Sequence, residues 1–230
     1  MASVDFSLPR TFNYDIADAD ADGFANDVSG ASWTLTATAA TDGLAHQISI
    51  LNNTANSKAA IDITIVGTDA DGRAQTEVIT GPGASVAVES TLYYKTLTSV
   101  TPASTWGADT ADIGWVDEIS TPLISVNYGA RDILTVNVDV TGTINFTVQQ
   151  TFDKFDDAAT FTLPSQQVQW KDVIASQTAD GIFNTTGGAT AIRVLVNSYS
   201  SGAEIQINAN PTLVSNAPDG GSGTTSDVNV

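Results

Sequence analysis

The stretch that decides the fold reads Ile61-Asp-Ile-Thr-Ile-Val-Gly-Thr-Asp-Ala-Asp-Gly-Arg-Ala-Gln-Thr-Glu-Val-Ile-Thr80. In its first half, isoleucines alternate with polar residues, which is the period of a strand with one buried face. The middle is rich in turn-forming residues, and Gly72 tolerates a positive φ. Residues 73–80 then form a second extended segment. The stretch therefore predicts a β-hairpin with Ile63 and Ile65 in the core.

A hairpin alone is at best marginally stable in water, so its neighbours must complete a sheet. Short alternating segments, separated by Gly, Pro, Asn or Asp, recur along the chain at the spacing of β-sandwiches. We therefore predict an all-β fold of two β-sandwich modules, jelly-roll or immunoglobulin-like, at residues 31–118 and 119–213. An extended N-terminal arm, 1–30, precedes them. A flexible tail, 214–230, follows, because its Gly, Ser and Asp residues bury little apolar area.

Individual strands are predicted from alternation within each module. Trp33–Thr38 predicts a strand near the start of the first module, because Trp33, Leu35 and Ala37 alternate with threonines. In the second module, the apolar residues of Ile133–Val140 and Ala191–Val196 predict two further strands. Residues 172–177 are predicted to form one helical turn.

Composition restricts the kinds of partner. Of 230 residues, 42% are hydrophobic and only 15% are charged, with a net charge of −18. The few Lys and Arg residues are scattered, so we expect neither direct nucleic-acid binding nor membrane attachment. No signal peptide or membrane span is recognisable, and we expect synthesis in a host cytoplasm. The chain has no cysteine, which removes disulfides and thiolate chemistry.

Aromatic residues at irregular positions predict contacts with other subunits. Residues 1–30 contain too many aromatics for a solvated tail, although a loose terminus remains the alternative. Of the four tryptophans, Trp33 and Trp115 fit the core, and the other two lie in looser polar sequence. Exposed aromatics anchor interfaces or stack on sugars. The predicted interface residues are Phe6, Phe12, Tyr14, Phe24, Trp106 and Trp170.

Residues for catalysis or metal binding are few. His46 is the only histidine and is expected at the surface, near a strand end. Adjacent acids such as Asp117-Glu118 diverge on a strand, so we predict no enzyme and no cofactor. Acidic turns leave Ca²⁺ binding as the alternative to simple solvation, since carboxylates two residues apart resemble part of an EF-hand loop. The Ca²⁺ candidates are Asp18, Asp20, Asp22, Asp69 and Asp71.

Four segments carry a resemblance to a known class of protein. Val66–Gly83 and Tyr94–Val100 resemble a pattern in structural proteins of tailed bacteriophages. Asn145–Thr151 and Thr190–Val196, with its Ala-Ile-Arg-Val core, are similar to a recurring virion module. No catalytic residues accompany this resemblance.

The resemblance implies a virion structural protein, and we expect a capsid decoration or cement protein that bridges coat subunits as a homo-oligomer. Its partners would be the major capsid protein or proteins of the tail and neck. A neck, adaptor or baseplate component is the alternative within this class. A carbohydrate-binding attachment module is the alternative from another class.

Overall fold

The computed structural model describes residues 9–125, 133–153 and 167–212, which contain strands but no α-helix. The all-β prediction is confirmed. In chain order the strands are β1 Arg10–Asp15, β2 Asp20–Ser29, β3 Ala45–Asn52, β4 Asp62–Thr68, β5 Ala74–Thr80, β6 Ala87–Tyr94, β7 Thr96–Pro102, β8 Thr110–Ser120, β9 Ile124–Ser125, β10 Ile133–Thr141, β11 Ile144–Thr151, β12 Trp170–Gln177, β13 Gly181–Asn184, β14 Ala191–Tyr199 and β15 Glu204–Thr212.

These strands form three antiparallel sheets. The hairpin sheet has the order β5-β4-β7, and the outer sheet has the order β1-β15-β10-β13. The shared sheet runs β12-β11-β14-β8-β3-β6, with β2 also paired to β8 and β9 to β14. The β14–β8 junction consists of two residue pairs, Leu195 with Ser120 and Val196 with Ile119. One continuous sheet therefore joins the two halves of the protein.

Each half is a sandwich with its own core. In the first sandwich, the hairpin sheet packs on the β2, β3 and β8 end of the shared sheet. In the second, the outer sheet packs on β11 and β14. The second core contains Ile119, but also Ile16 from the predicted arm and Leu44 from the predicted first module, so the core does not follow the predicted boundary at residue 118. The cores are thus separate, although the sheet between them is continuous.

The predicted hairpin is present. β4 and β5 pair from Asp62 with Thr80 to Thr68 with Ala74. Ile63 and Ile65 are completely buried, as predicted, because they face the first core. Gly72 has a φ of 81°, which the turn requires.

The prediction of an arm is wrong for residues 10–29. β1 pairs with β15 in the outer sheet, and β2 pairs with β8 in the shared sheet. β2 approaches β8 so closely that a Cβ at Gly114 would lie 1.8 Å from the carbonyl oxygen of Asp20. Bulges break the register of β2, which is why its sequence lacks a clean alternation. Residues 1–8 and the predicted tail lie outside the described residues.

Two local predictions are also wrong. Residues 33–38 alternate between buried or half-buried and exposed positions but form no strand, and Thr36 and Ala37 instead donate N–H bonds to the Phe24 carbonyl. Alternation there reflects an extended segment lying on the core without a sheet neighbour. The predicted helical turn at 172–177 belongs to strand β12, whose bulges against β11 give it a helix-like spacing.

Candidate functional site: the outer face and the cleft between the sandwiches

The solvent side of the outer sheet carries short polar side chains from all four of its strands. The opposite side chains of these strands, such as Val136 and Ile207, lie in the second core. Because alternate residues of a strand point to opposite faces, the remaining residues form one continuous surface. We call this surface the outer face; its uncharged polar members include Thr11, Asn13, Thr135, Asn137, Thr141, Asn184, Gln206, Asn208 and Asn210.

Hydrogen bonds between neighbouring strands hold the outer face in place. The Thr11 hydroxyl donates to Asn208 Oδ1 over 2.7 Å, and Gln206 Nε2 donates to Asn13 Oδ1 over 2.7 Å. Asn208 Nδ2 donates to Asp139 Oδ2 on β10 at 3.2 Å and, along its own strand, to Gln206 Oε1 at 3.1 Å. Such cross-strand pairs orient the side chains before any partner arrives.

The outer face has a charged end and an apolar edge. Asp15 and Glu204 are paired across β1 and β15, and Asp139 lies one strand further along. At the other side, Ile182 on edge strand β13 is 69% exposed. The centre of the outer face is therefore polar and largely uncharged, and uncharged groups desolvate at lower cost than charges when a protein surface binds.

A cleft of about 190 Å³ lies where the hairpin turn meets the second sandwich. In the turn, Arg73 Nη2 lies 2.6 Å from Asp69 Oδ2 and 3.5 Å from Asp71 Oδ2. Asp71 Oδ1 accepts the Leu123 N–H at 2.8 Å, which ties the turn to the second half of the chain. Burial raises the pKa of Asp71, and the charge of Asp69 adds to this, although the Leu123 bond opposes it.

Arg193 faces the same cleft from β14. Its guanidinium lies 4.3 Å from the ring centroid of Trp170, and its Nε donates to Gln149 Oε1 at 2.9 Å. Gln149 is itself oriented by its Nε2, which donates to Asp172 at 2.8 Å. Burial lowers the pKa of Arg193 to about 10. Sequence analysis did not single out Arg193, although it is the one charged residue in the apolar run Ala191–Val196.

The predicted interface aromatics occupy different environments. Phe12 and Tyr14 are half-buried against the second core, whereas Phe24 and Trp106 are buried in the first core. Phe24 and Trp106 are therefore core residues, which corrects their predicted interface role. Trp170 is half-buried beneath Arg193. Phe6 lies outside the described residues.

The burial of Trp106 could not be predicted from the sequence, because its neighbours are polar and its segment is not a strand. Its ring packs edge to face on Trp33, with centroids 4.9 Å apart. Trp33 and Trp115 lie in the core, as predicted.

His46 is buried, not at the surface as predicted. Its Nε2 lies 2.9 Å from Asp42 Oδ2, and its Nδ1 lies 3.3 Å from the Val116 carbonyl oxygen. Asp42 also accepts N–H bonds from Ala17 and Leu44, both at 2.9 Å. Burial alone would raise the pKa of Asp42, but the His46 bond and charge and these N–H groups outweigh it, so the pKa is lowered.

The Ca²⁺ candidates form two separate groups that are engaged with the protein. Asp18 accepts bonds from Ser201 and Gly202, while Asp20 and Asp22 bond within their own segment. Asp69 and Asp71 belong to the ion pairs of the hairpin turn. Within residues 9–125, 133–153 and 167–212, no three His, Cys, Asp or Glu side chains are grouped as a metal ligand set.

Asp117 and Glu118 lie next to each other on β8, in a shallow depression shared with Glu89. Burial raises the pKa of Glu118, and the charge of Glu89 raises it further. In the described part of the chain, no helix is long and apolar enough to cross a bilayer.

Comparisons with known proteins gave two structural neighbours, both proteins of virus particles. The major capsid protein P2 of bacteriophage PM2 aligns over 90% of this chain and 99% of its own, with 8% identity and a TM-score of 0.21. A structure of infectious bursal disease virus, Gt strain, aligns over 89% of this chain and 70% of its own, with 14% identity and a TM-score of 0.19. These scores are too low to establish a shared fold. No family model and no curated protein matches the sequence.

Proposed function

We propose that this chain is a non-enzymatic structural protein of a virus particle that uses its outer face to bind neighbouring protein subunits. The observation that carries the proposal is the hydrogen-bonded, largely neutral surface spread over the four strands of the outer sheet. It is held rigid by the strands beneath it, so little side-chain entropy is lost when a partner binds. The sequence resemblance of four segments to tailed-phage structural proteins supports the same class.

Within this class, the role we propose is a capsid decoration protein that bridges coat subunits as a homo-oligomer. Two sandwiches joined by one sheet have separate cores, so each half can present its own surface to a different neighbour. The net charge of −18 favours a basic partner surface over a nucleic acid. A neck or tail location is the competing assignment, and a cryo-EM map of the intact particle distinguishes the two.

The decisive experiment places one positive charge on the outer face and the same charge elsewhere. Thr11→Arg changes an exposed strand residue of the outer face, and Thr98→Arg changes an exposed strand residue of the hairpin sheet. We expect Thr11→Arg to abolish co-sedimentation with particles and self-association in light scattering, while Thr98→Arg assembles like the wild type. Normal assembly of both variants, with unchanged melting curves, would show that the outer face is not the interface.

A carbohydrate-binding role predicts a different result. Sugar sites usually stack rings on exposed aromatic side chains, and the described outer face presents none. We therefore expect no preference on a glycan array. A reproducible saccharide signal would favour an attachment module instead.

We propose no resident metal ion, because Asp69 is bound by two N–H groups and by Arg73, and Asp18 by Ser201 and Gly202. We expect EDTA to leave the melting temperature unchanged. A fall of many degrees, reversed by Ca²⁺, would make the ion part of the fold.

A further inference from the structure

Arg193 is a half-buried cation that forms no hydrogen bond or ion pair with a carboxylate of the described residues. In the part of the chain that the structure describes, its contacts are the neutral oxygen of Gln149 and the Trp170 ring. The nearby acids Asp69 and Asp71 form ion pairs with Arg73 within the hairpin turn, and their charges act on Arg193 without a hydrogen bond to it. A buried charge is stable when it is paired, so this arrangement is one that an external anion would complete.

The geometry of Arg193 leaves its terminal nitrogens available. The Nε donates to Gln149. Nη1 and Nη2 donate to no described residue and are accessible to solvent. The guanidinium plane is fixed by stacking on Trp170 and by the bond to Gln149. A guanidinium fixed in this way presents two parallel N–H donors, which match the two oxygens of a carboxylate.

A second donor lines the cleft. Tyr93, on β6, borders it, and its hydroxyl forms no hydrogen bond with any described residue. Burial raises the pKa of Tyr93 to about 12, with a further contribution from Glu118, so the hydroxyl is protonated at neutral pH and can donate. Hydroxyl and guanidinium together favour an anionic ligand with hydrogen-bond acceptors.

The size of the cleft limits the ligand. The cleft, at about 190 Å³, is smaller than the roughly 300–1,000 Å³ of pockets that hold drug-sized ligands. This accommodates a carboxylate on a short carbon chain, such as the side chain of Glu or a small dicarboxylic acid. Asp69 and Asp71, which also line the cleft, disfavour a more highly charged phosphate or sulfate.

We propose that the cleft between the sandwiches is a binding site for a carboxylate group, held in bidentate fashion by Arg193 over Trp170. The carboxylate belongs either to a free small acid or to an Asp or Glu side chain of a second copy of this chain. The chemistry is the same for both sources, and the acidic composition supplies many such side chains.

The test for a free acid uses the full chain labelled with ¹⁵N-arginine and titrated with acetate, glutarate, phosphate and sulfate. We expect acetate and glutarate to shift the Arg193 side-chain signals saturably, and Arg193→Gln to weaken binding at least tenfold by calorimetry. Tyr93→Phe should weaken it less, and Arg193→Lys should retain part of it. The matched control is Lys171→Gln, which removes an exposed positive charge from β12 outside the cleft and should leave the affinity unchanged.

The test for a second copy measures self-association by sedimentation, with and without glutarate. If a neighbouring copy supplies the carboxylate, Arg193→Gln and excess glutarate both weaken association, and Lys171→Gln does not. The proposal is overturned if no acid shifts the Arg193 signals and association is unaffected by Arg193→Gln. It is also overturned if Lys171→Gln reduces binding as much as Arg193→Gln, since the effect is then one of net charge.

Discussion

The two sandwiches share a sheet but fill their cores differently. The buried members of the first core include five large aromatic residues: Phe24, Trp33, Tyr94, Trp106 and Trp115. The second core is mainly aliphatic, with Val136, Val194 and Ile207 among its fully buried members. Long strands with regular alternation supply the second core. The first also depends on loops, which bring bulky rings to positions that its strands leave open.

Trp33 and Trp106 show how loops complete the first core. Each tryptophan lies outside the strands, yet their rings pack at 85° to each other. The Lys58 ammonium, 5.5 Å from the Trp106 ring centroid, donates to the Trp106 carbonyl and to Asp109. Neither indole N–H finds a hydrogen-bond acceptor among the described residues, which costs about 1–3 kcal/mol for each group. In the first sandwich, the packing of the two tryptophan rings therefore offsets the free-energy cost of their unsatisfied N–H groups.

The largest effect is expected from removing the N-terminal strands, because β1 belongs to the second sandwich and β2 to the first. A chain that begins at Ser32 loses both strands, including Phe24, whose burial alone is worth about 3–5 kcal/mol. Total stability is about 5–15 kcal/mol, so we expect it to lose cooperative melting in circular dichroism. A chain that begins at Asp18 lacks only β1 and should keep the first sandwich folded. If the chain that begins at Ser32 melts like the full chain, neither β1 nor β2 is needed for folding.

The second-largest effect is expected from a charge introduced into one core. It tests whether the two sandwiches unfold independently. Ile65→Asp removes a fully buried isoleucine, about 1.5–3 kcal/mol in transfer alone, and buries an unpaired carboxylate. Only two residue pairs join β14 to β8, so we expect hydrogen exchange to show loss of protection in the first sandwich and retention in the second.

Val136→Asp is the matched change in the second core and should give the reverse pattern. Loss of protection throughout the chain in both variants would show that the sandwiches unfold as one unit.

Trp106→Ala tests the aromatic core directly. We expect a loss of about 3–5 kcal/mol in urea unfolding, because a fully enclosed ring and its contact with Trp33 disappear. Ile207→Val, a small deletion in the aliphatic core, should cost only about 0.5–1.5 kcal/mol. A cost below about 1 kcal/mol for Trp106→Ala would mean that the loops contribute little to the first core.

The smallest effect is expected at Asp42, which bonds both to Ala17, in the connection between β1 and β2, and to His46 on β3. Its pKa is lowered in the folded protein, so its contribution is present above the unfolded value of about 3.9 and is lost as pH falls through the folded pKa. We expect Asp42→Asn to cost about 1 kcal/mol at pH 7 and less at pH 3. Urea unfolding at both pH values measures this, and an equal difference at both would exclude the carboxylate as the cause.

The sequence by itself determined the all-β class, the central hairpin and the buried faces of the regular strands. Ile63 and Ile65 could be assigned to the core, because alternation in a strand is a local property of its pleat. The outer face could have been found in the same way, from the polar residues that alternate with Ile205 and Ile207. Its polar members were not predicted as an interface, because aromatic residues are the more common anchors of protein contacts.

Tertiary structure decided which segments meet. The Tyr199 hydroxyl donates to the Ala17 carbonyl, and Asp71 accepts the Leu123 N–H. Arg193 lies over the Trp170 ring at the cleft. No local pattern encodes such contacts, because each depends on how distant strands pair and how far they twist. For the same reason, the irregular alternation of β2 and the polar neighbours of Trp106 gave no sign of burial. Packing against the first core fixes the position of both segments, and their own periodicity does not.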